Sequence, residues 1–225
     1  DADGVQVVVH HAALADATYP EYFADLIILH GGAAPGLREL SAERVYRVLR
    51  PHGGTIYAAT DGMTRRPDVV SKWLLEGKVP ADEITTSADT VRVVRGRLPG
   101  AGDWTHQYAD AAKSGCSTDR RVRLPLKLLW FGDPGPARMI ARHWKGPAPL
   151  CVNGRMFVIG QYSLMAVDAY NGRLLWRREL PQAGRFPANT VGSNVAVDED
   201  RVYVVTGRKC ALMDAVTGNT IRFYD

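Results

Sequence analysis

Three cysteines, six histidines and a few repeated aspartates are the side chains of this 225-residue sequence whose types would allow chemistry beyond packing. Cys116, Cys151 and Cys210 form an odd, widely spaced set with no Cys-x-x-Cys pair and no histidine at metal-ligand spacing. Neither a disulfide framework nor a zinc site is therefore written in them, no metal is expected, and each reads as a small buried hydrophobe. His30 directly follows the apolar run 24–29. At the carboxyl end of a strand in an α/β sheet such a residue would line a ligand crevice. His10 and His11 close an earlier apolar run, and because neighbours in a strand point to opposite faces, at most one of them faces any ligand. Arg120-Arg121-Val122-Arg123 is either an anion contact or a solvated loop. Asp168 and Asp214 are each followed four residues later by glycine, Gly172 and Gly218. An aspartate there accepts hydrogen bonds from turn amides and the glycine supplies positive φ, which are structural tasks.

Those aspartates belong to an internal repeat. Leu128-Leu129-Trp130 recurs 46 residues later as Leu174-Leu175-Trp176. At the same spacing Arg155-Met156-Phe157-Val158-Ile159 maps onto Arg201-Val202-Tyr203-Val204-Val205, and Asp168-Ala169-Tyr170-Asn171-Gly172 onto Asp214-Ala215-Val216-Thr217-Gly218. Within one unit, apolar β-rich runs at 148–152, 156–159, 164–167 and 174–176 alternate with turn residues such as Asn153-Gly154, predicting four short antiparallel strands. A four-stranded unit cannot bury both its faces alone, and radial stacking of such units is a β-propeller. From 98 to 225 the period allows about 2.8 units. The run Ala166-Val167-Asp168-Ala169-Tyr170-Asn171-Gly172-Arg173-Leu174-Leu175-Trp176 resembles the A-x-D-x-x-T-G-x-x-x-W signature of pyrroloquinoline-quinone (PQQ) repeat propellers, found in quinoprotein dehydrogenases and outer-membrane assembly propeller lipoproteins.

The resemblance implies that Asp168, Gly172, Trp176, Asp214, Gly218 and Trp130 are repeat-motif residues, with the tryptophans packing between blades. Arg222 stands where the second copy should have tryptophan, so that contact is expected to be weaker, and residues 104–108 read as an irregular lead-in. Enzymes of this kind hold PQQ on the propeller axis with residues from many blades, which two or three units cannot provide. Other propellers with the repeat are protein-binding platforms, so a protein partner is the expectation for this half. With missing blades, Met213 and Ile221 are expected to face solvent and to favour self-association.

The first half alternates strand-like and helix-like segments. Runs at 5–10, 24–29, 55–59 and 90–94 read as strands, and 41–49 and 68–76 as helices, the latter with Val69, Val70, Trp73 and Leu74 on its apolar face. Ser41 is a candidate N-cap, and Pro51 with His52-Gly53-Gly54 ends the first helix. Two strands joined through a helix suggest a parallel sheet. Ala24-Asp25-Leu26-Ile27-Ile28-Leu29 and Tyr46-Arg47-Val48-Leu49-Arg50-Pro51-His52-Gly53-Gly54 resemble the later motifs of class I S-adenosylmethionine-dependent methyltransferases. The resemblance implies a Rossmann-like α/β domain over 1–97, whose cofactor pocket wall would include His30, Ala12 and Ala13. No Gly-x-Gly-x-Gly loop occurs in the sequence, and Ala12-Ala13 stands where the family often has an acid.

With 46% hydrophobic and 23% charged residues the composition is that of a globular chain, without an apolar run long enough to span a membrane. Residues 1–100 carry net charge −2 and 101–225 net +6, the basic residues being dispersed among turns with no nucleic-acid signature. The start Asp1-Ala2-Asp3-Gly4 has no signal-peptide pattern and enters a strand-like run at once, so truncation is expected and the compartment stays open. The sequence thus reads as a fragment of a bidomain protein. A partial α/β methyltransferase-like domain over 1–97 precedes an all-β partial propeller of two to three blades over 98–225. The alternatives are a quinone-dependent dehydrogenase and a non-catalytic scaffold.

Overall fold

The computed structural model describes residues 9, 11, 16–29, 39–60, 66–132, 147–181, 183 and 193–225. The chain divides into two compact units, Asp1–Gly96 and Arg97–Asp225, each with its own apolar cluster.

In the first unit β1 (Leu26–Leu29), α1 (Ala42–Val48), β2 (Thr55–Ala59), α2 (Pro67–Glu76), β3 (Ile84–Thr86) and β4 (Thr90–Val94) follow one another, with a 3-10 turn at Ala81–Glu83 before β3. Helix α1 starts where the Ser41 hydroxyl accepts the Arg44 amide (3.4 Å), with Glu43 in the first turn facing the positive end of the helix dipole. Strands β1 and β2, joined through α1, pair in parallel with Leu26 opposite Thr55. The sheet is mixed rather than parallel throughout, because β3 and β4 are separated by only residues 87–89, which is too short for a crossover and leaves only an antiparallel hairpin. Strand β4 inserts between β2 and β3, giving the order β1-β2-β4-β3.

In α2, Val70 and Leu74 are buried one turn apart, whereas Val69, expected on the same face, is exposed because each helical step rotates it about 100° off the stripe. Leu49, Ile56, Leu74, Val91 and Val93 form the centre of the cluster, each stabilising the unit by roughly 1.5–3 kcal/mol on burial. The strand expected over 5–10 lies outside the described residues apart from Val9, which is exposed.

Arg95, just past β4, fastens the sheet to α1. Its buried guanidinium lies between the rings of Tyr22 (5.0 Å) and Tyr46 (4.4 Å) and donates to the carbonyls of Tyr46, Arg47 and Leu49. A cation at a helix carboxyl end satisfies carbonyls that the helix leaves open. Glu83 completes the arrangement by accepting the Tyr46 hydroxyl (2.6 Å) and the Gly96 amide (2.8 Å). Burial pulls the Arg95 pKa below its ordinary value and, with Glu83 alongside, pushes the Tyr46 phenol up.

The second unit holds two antiparallel meanders. The first consists of β5 (Leu150–Val152), β6 (Arg155–Gly160), β7 (Ser163–Asp168) and β8 (Leu174–Glu179). The second consists of β9 (Val195–Val197), β10 (Arg201–Thr206), β11 (Lys209–Asp214) and β12 (Thr220–Tyr224). The 46-residue spacing persists even in the irregularities, since the bulge between Ala166 and Val167 recurs between Leu212 and Met213. Leu150, Phe157, Ala166 and Trp176 of the first sheet share one apolar layer with Val202, Val204, Ala211 and Met213 of the second. Two sequential four-stranded sheets stacked through such a layer have the arrangement of neighbouring blades in a partial β-propeller. Met213, expected in solvent, is fully buried because the strand alternation turns Ala211 and Met213 toward the first sheet, whereas Ile221 is half exposed.

Among the described residues no strand forms over 126–130, where Leu126 and Leu128 are exposed. Residues 104–105 lie along the inner edges of both sheets instead. Trp104 exchanges backbone hydrogen bonds with Cys151 of β5, and the Val197 amide of β9 donates to Thr105 (3.0 Å). Cys116, expected to be buried, is exposed in the lead-in, while Cys151 is partly covered and its thiol is pushed up to about 11 by burial, then by Asp103. Among the described residues no helix is long and apolar enough to cross a membrane.

Candidate functional site

The repeat residues meet at the junction between blades. In the turn after β11, Asp214 Oδ1 accepts the amides of Val216 (3.0 Å) and Thr217 (2.7 Å) and the Thr217 hydroxyl (2.8 Å), which lowers the carboxyl's pKa. That turn puts Gly218 at φ 69°. The Trp176 ring lies flat against it, so that a Cβ on Gly218 would stand 2.5 Å from Trp176 Cδ2, and Trp176 Nε1 donates to the Ala215 carbonyl (3.1 Å). The same contact occurs 46 residues earlier. Asp168 Oδ1 accepts the amides of Tyr170 (2.9 Å) and Asn171 (3.2 Å), and Gly172 at φ 75° admits the ring of Trp130, whose Nε1 donates to Ala169 (3.0 Å). Each tryptophan is thus laid across the Asp-x-x-x-Gly turn of the following repeat, and only glycine leaves room for it.

Arg178 belongs to the same junction although nothing in the repeat pattern singles it out, since the equivalent residue one repeat later is Tyr224. It donates from Nε to Gly218 (3.0 Å) and from Nη2 to the Thr217 carbonyl (2.8 Å) and Asn219 Oδ1 (2.9 Å). Its partners lie about 40 residues away in sequence, so only the packed sheets bring them together.

The next face is open. Across the first sheet the paired row Leu150–Phe157–Ala166–Trp176 is buried by the second. The row in the same register of the second sheet is Ala196–Tyr203–Leu212–Arg222. Here Tyr203 is 36% exposed and Arg222 lies in solvent with its guanidinium 5.2 Å from the Tyr224 ring. Val205 and Tyr224 extend this exposed patch.

In the first unit a groove of about 770 Å³ runs along β1 and α1, lined by Tyr19, Phe23, Leu26, Ile28, Leu40 and Val48 among others. Its polar margin carries Arg44 and the ion pair Glu21–Arg47. His30, Ala12 and Ala13, the expected wall of a cofactor pocket, lie outside the described residues, as does His10, while His11 is exposed. Arg120, Arg121 and Arg123 are exposed loop residues. Among the described residues no three His, Cys, Asp or Glu side chains gather to hold a metal ion.

No family model and no curated protein matches the chain. Part of it is similar to the quinohemoprotein alcohol dehydrogenase from Comamonas testosteroni, with 24% identity over 34% of this chain and 12% of that one and a TM-score of 0.28. Part is also similar to BamB from Moraxella catarrhalis, with 18% identity over 33% of this chain and 23% of that one and a TM-score of 0.26. The matched part spans less than a quarter of either neighbour.

Proposed function

We propose that the chain belongs to a two-module protein in which a methyltransferase-like α/β unit is joined to a quinoprotein-type propeller acting as a protein-binding platform. One observation carries the platform reading: the signature residues Asp168, Gly172, Trp176, Asp214 and Gly218 are consumed in holding blades together, which is the work of a scaffold.

The α/β half is supported by the parallel pairing of β1 and β2 through α1, the elements on which the methyltransferase resemblance rests. The groove beside β1 does not fit S-adenosylmethionine. A ribose needs a carboxylate acceptor, and the carboxylate among its described lining residues, Glu21, is paired with Arg47. Methyl transfer is therefore proposed for the whole protein alone, where the cofactor would supply the sulfonium methyl group.

Two titrations test the reading. Calorimetry with S-adenosylmethionine should show negligible binding to the 225-residue chain, and micromolar affinity would mean that these residues form a cofactor site without a Gly-x-Gly-x-Gly loop. A spectral titration with pyrroloquinoline quinone should show no saturable uptake. Saturable uptake would replace the platform reading by a quinone-dependent dehydrogenase.

A further inference from the structure

We propose that residues 103–109 are a releasable strap, a segment that closes the inner edges of both sheets of the second unit and opens as one piece while the sheets stay folded. The inference goes beyond the platform reading and does not rest on it. Strands β5 and β9 are edge strands in the orders β5-β6-β7-β8 and β12-β11-β10-β9, so each has a row of backbone groups that its own sheet leaves unpaired. The strap takes up groups from both rows. Trp104 donates to the Cys151 carbonyl (2.6 Å) and accepts the Cys151 amide (2.8 Å), and the Thr105 carbonyl accepts the Val197 amide (3.0 Å). Two side chains add fastenings, since Gln107 Oε1 accepts the Ala148 amide (3.2 Å) and Asp103 Oδ1 the Asn153 amide (3.3 Å). Asp103 is itself held by Arg97 (2.9 Å). One short segment thus ties strands from two different repeats.

The closed position is held against resistance. Tyr108 (φ 65°) and Ala109 (φ 84°) are consecutive non-glycine residues in the left-handed region, where a Cβ crowds its own backbone. They stand there because the turn is pulled tight. Ala109 exchanges backbone hydrogen bonds with His106 (3.1 and 3.3 Å), its carbonyl also accepts the Thr105 amide (2.8 Å), and its side chain is buried. The indole of Trp104 adds a second cost, because its Nε1 is buried and has no hydrogen-bond partner among the described residues, whereas Nε1 of Trp130 and of Trp176 each donate to a carbonyl. A donor buried without an acceptor forfeits its hydration, and lifting the strap returns it to water.

Strain and the orphaned indole favour the open strap, and pairing with β5 and β9 favours the closed one. The sheets do not need the strap for their own ladders, because β5 stays paired with β6 and β9 with β10 when it lifts. Opening is therefore a local event, of the kind that occurs well below the free energy of global unfolding. It bares the amides of Cys151 and Val197 together, although they belong to different sheets. It also uncovers the Cys151 thiol, which burial and then Asp103 push up to about 11 in the closed state.

Thiol labelling of the 225-residue chain carrying Cys116→Ser and Cys210→Ser, which leaves Cys151 as its one cysteine, tests this. Labelling should run faster than global unfolding allows and should be insensitive to low concentrations of urea, because a local opening exposes little surface. Ala109→Gly, which adopts positive φ without strain, should slow labelling about threefold or more. Gln107→Ala, which removes the acceptor of the Ala148 amide, should speed it about threefold or more. Hydrogen exchange at the Val197 amide should shift in the same direction as Cys151 labelling in both variants, which separates one strap from two independent fluctuations. Circular dichroism reports the fold of every variant. Labelling that follows global unfolding across the urea range overturns the proposal. So does labelling indifferent to both Ala109→Gly and Gln107→Ala, or a Val197 amide whose exchange does not move with Cys151.

Discussion

The two meanders of the second unit are built alike and finished differently. Both have four strands in sequential order, the same bulge and the same Asp-x-x-x-Gly turn. Yet the first hands on a buried Trp176, and the second ends in an exposed Arg222. The shared residues make a sheet, and the residue in the tryptophan position decides how firmly one sheet holds the next.

The sharpest way to break this comparison is Trp176→Ala. The ring is 6% exposed, tilts against Phe157 at 5.9 Å between ring centres, and anchors the Gly218 turn. Its loss should cost about 3–5 kcal/mol in the second unit. Chemical denaturation followed by circular dichroism measures it, and Trp130→Ala, which removes an only partly buried ring, should cost less. Equal costs at positions 176 and 222 would mean that the tryptophan is not the anchor.

Gly218→Ala should cost about 1–3 kcal/mol, since the added methyl meets the Trp176 ring and the backbone sits at φ 69°. Part of that cost is steric and part is backbone strain, and a double-mutant cycle separates them. In a Trp176→Ala background the steric part should vanish. An unchanged penalty there would place the whole effect in the backbone.

The strands of the second unit were legible because a short unit at fixed spacing repeats its apolar alternation, turn residues and glycines together, so each copy checks the other. Sidedness was legible only in part. The repeat alone does not say which face a neighbouring sheet covers, and strand alternation puts Met213 on the covered one. In the first unit β3 was missed, since Ile84-Thr85-Thr86 is short and largely polar and gains its identity only by pairing with β4. Arg95 and Arg178 were invisible for a related reason. An arginine acquires its role from carbonyls brought to it by the fold, and no local spacing announces them. His30, Ala12 and Ala13 lie outside the described residues, so the expected cofactor wall gains no geometry.

A smaller effect distinguishes the turns by pH. The amide and then the hydroxyl of Thr217 hold the Asp214 carboxyl below its ordinary pKa. A depressed folded value means that this stabilisation is full above the unfolded value of about 3.9 and is lost as pH falls through the folded one. The stability of the second unit should therefore fall on acidification below about pH 4, and Asp214→Asn should flatten that fall. The side chain is 34% exposed, so water screens the interaction and the change should be smaller than that from Gly218→Ala. Thermal melts at neutral and acidic pH supply the comparison, and an Asp214→Asn chain with an unaltered acid slope would assign the loss to other carboxylates.

Arg222→Ala should have the smallest effect, a few tenths of a kcal/mol in chemical denaturation. The guanidinium lies in solvent beside Tyr224, and an exposed cation–π contact contributes about 0.5–1 kcal/mol at most. Strand β12 keeps its pairing with β11 through the backbone, with Arg222 opposite Leu212, and alanine preserves those hydrogen bonds. A loss of several kcal/mol in folding stability would instead put Arg222 in the tryptophan's structural role, and the difference between the two sheets would disappear.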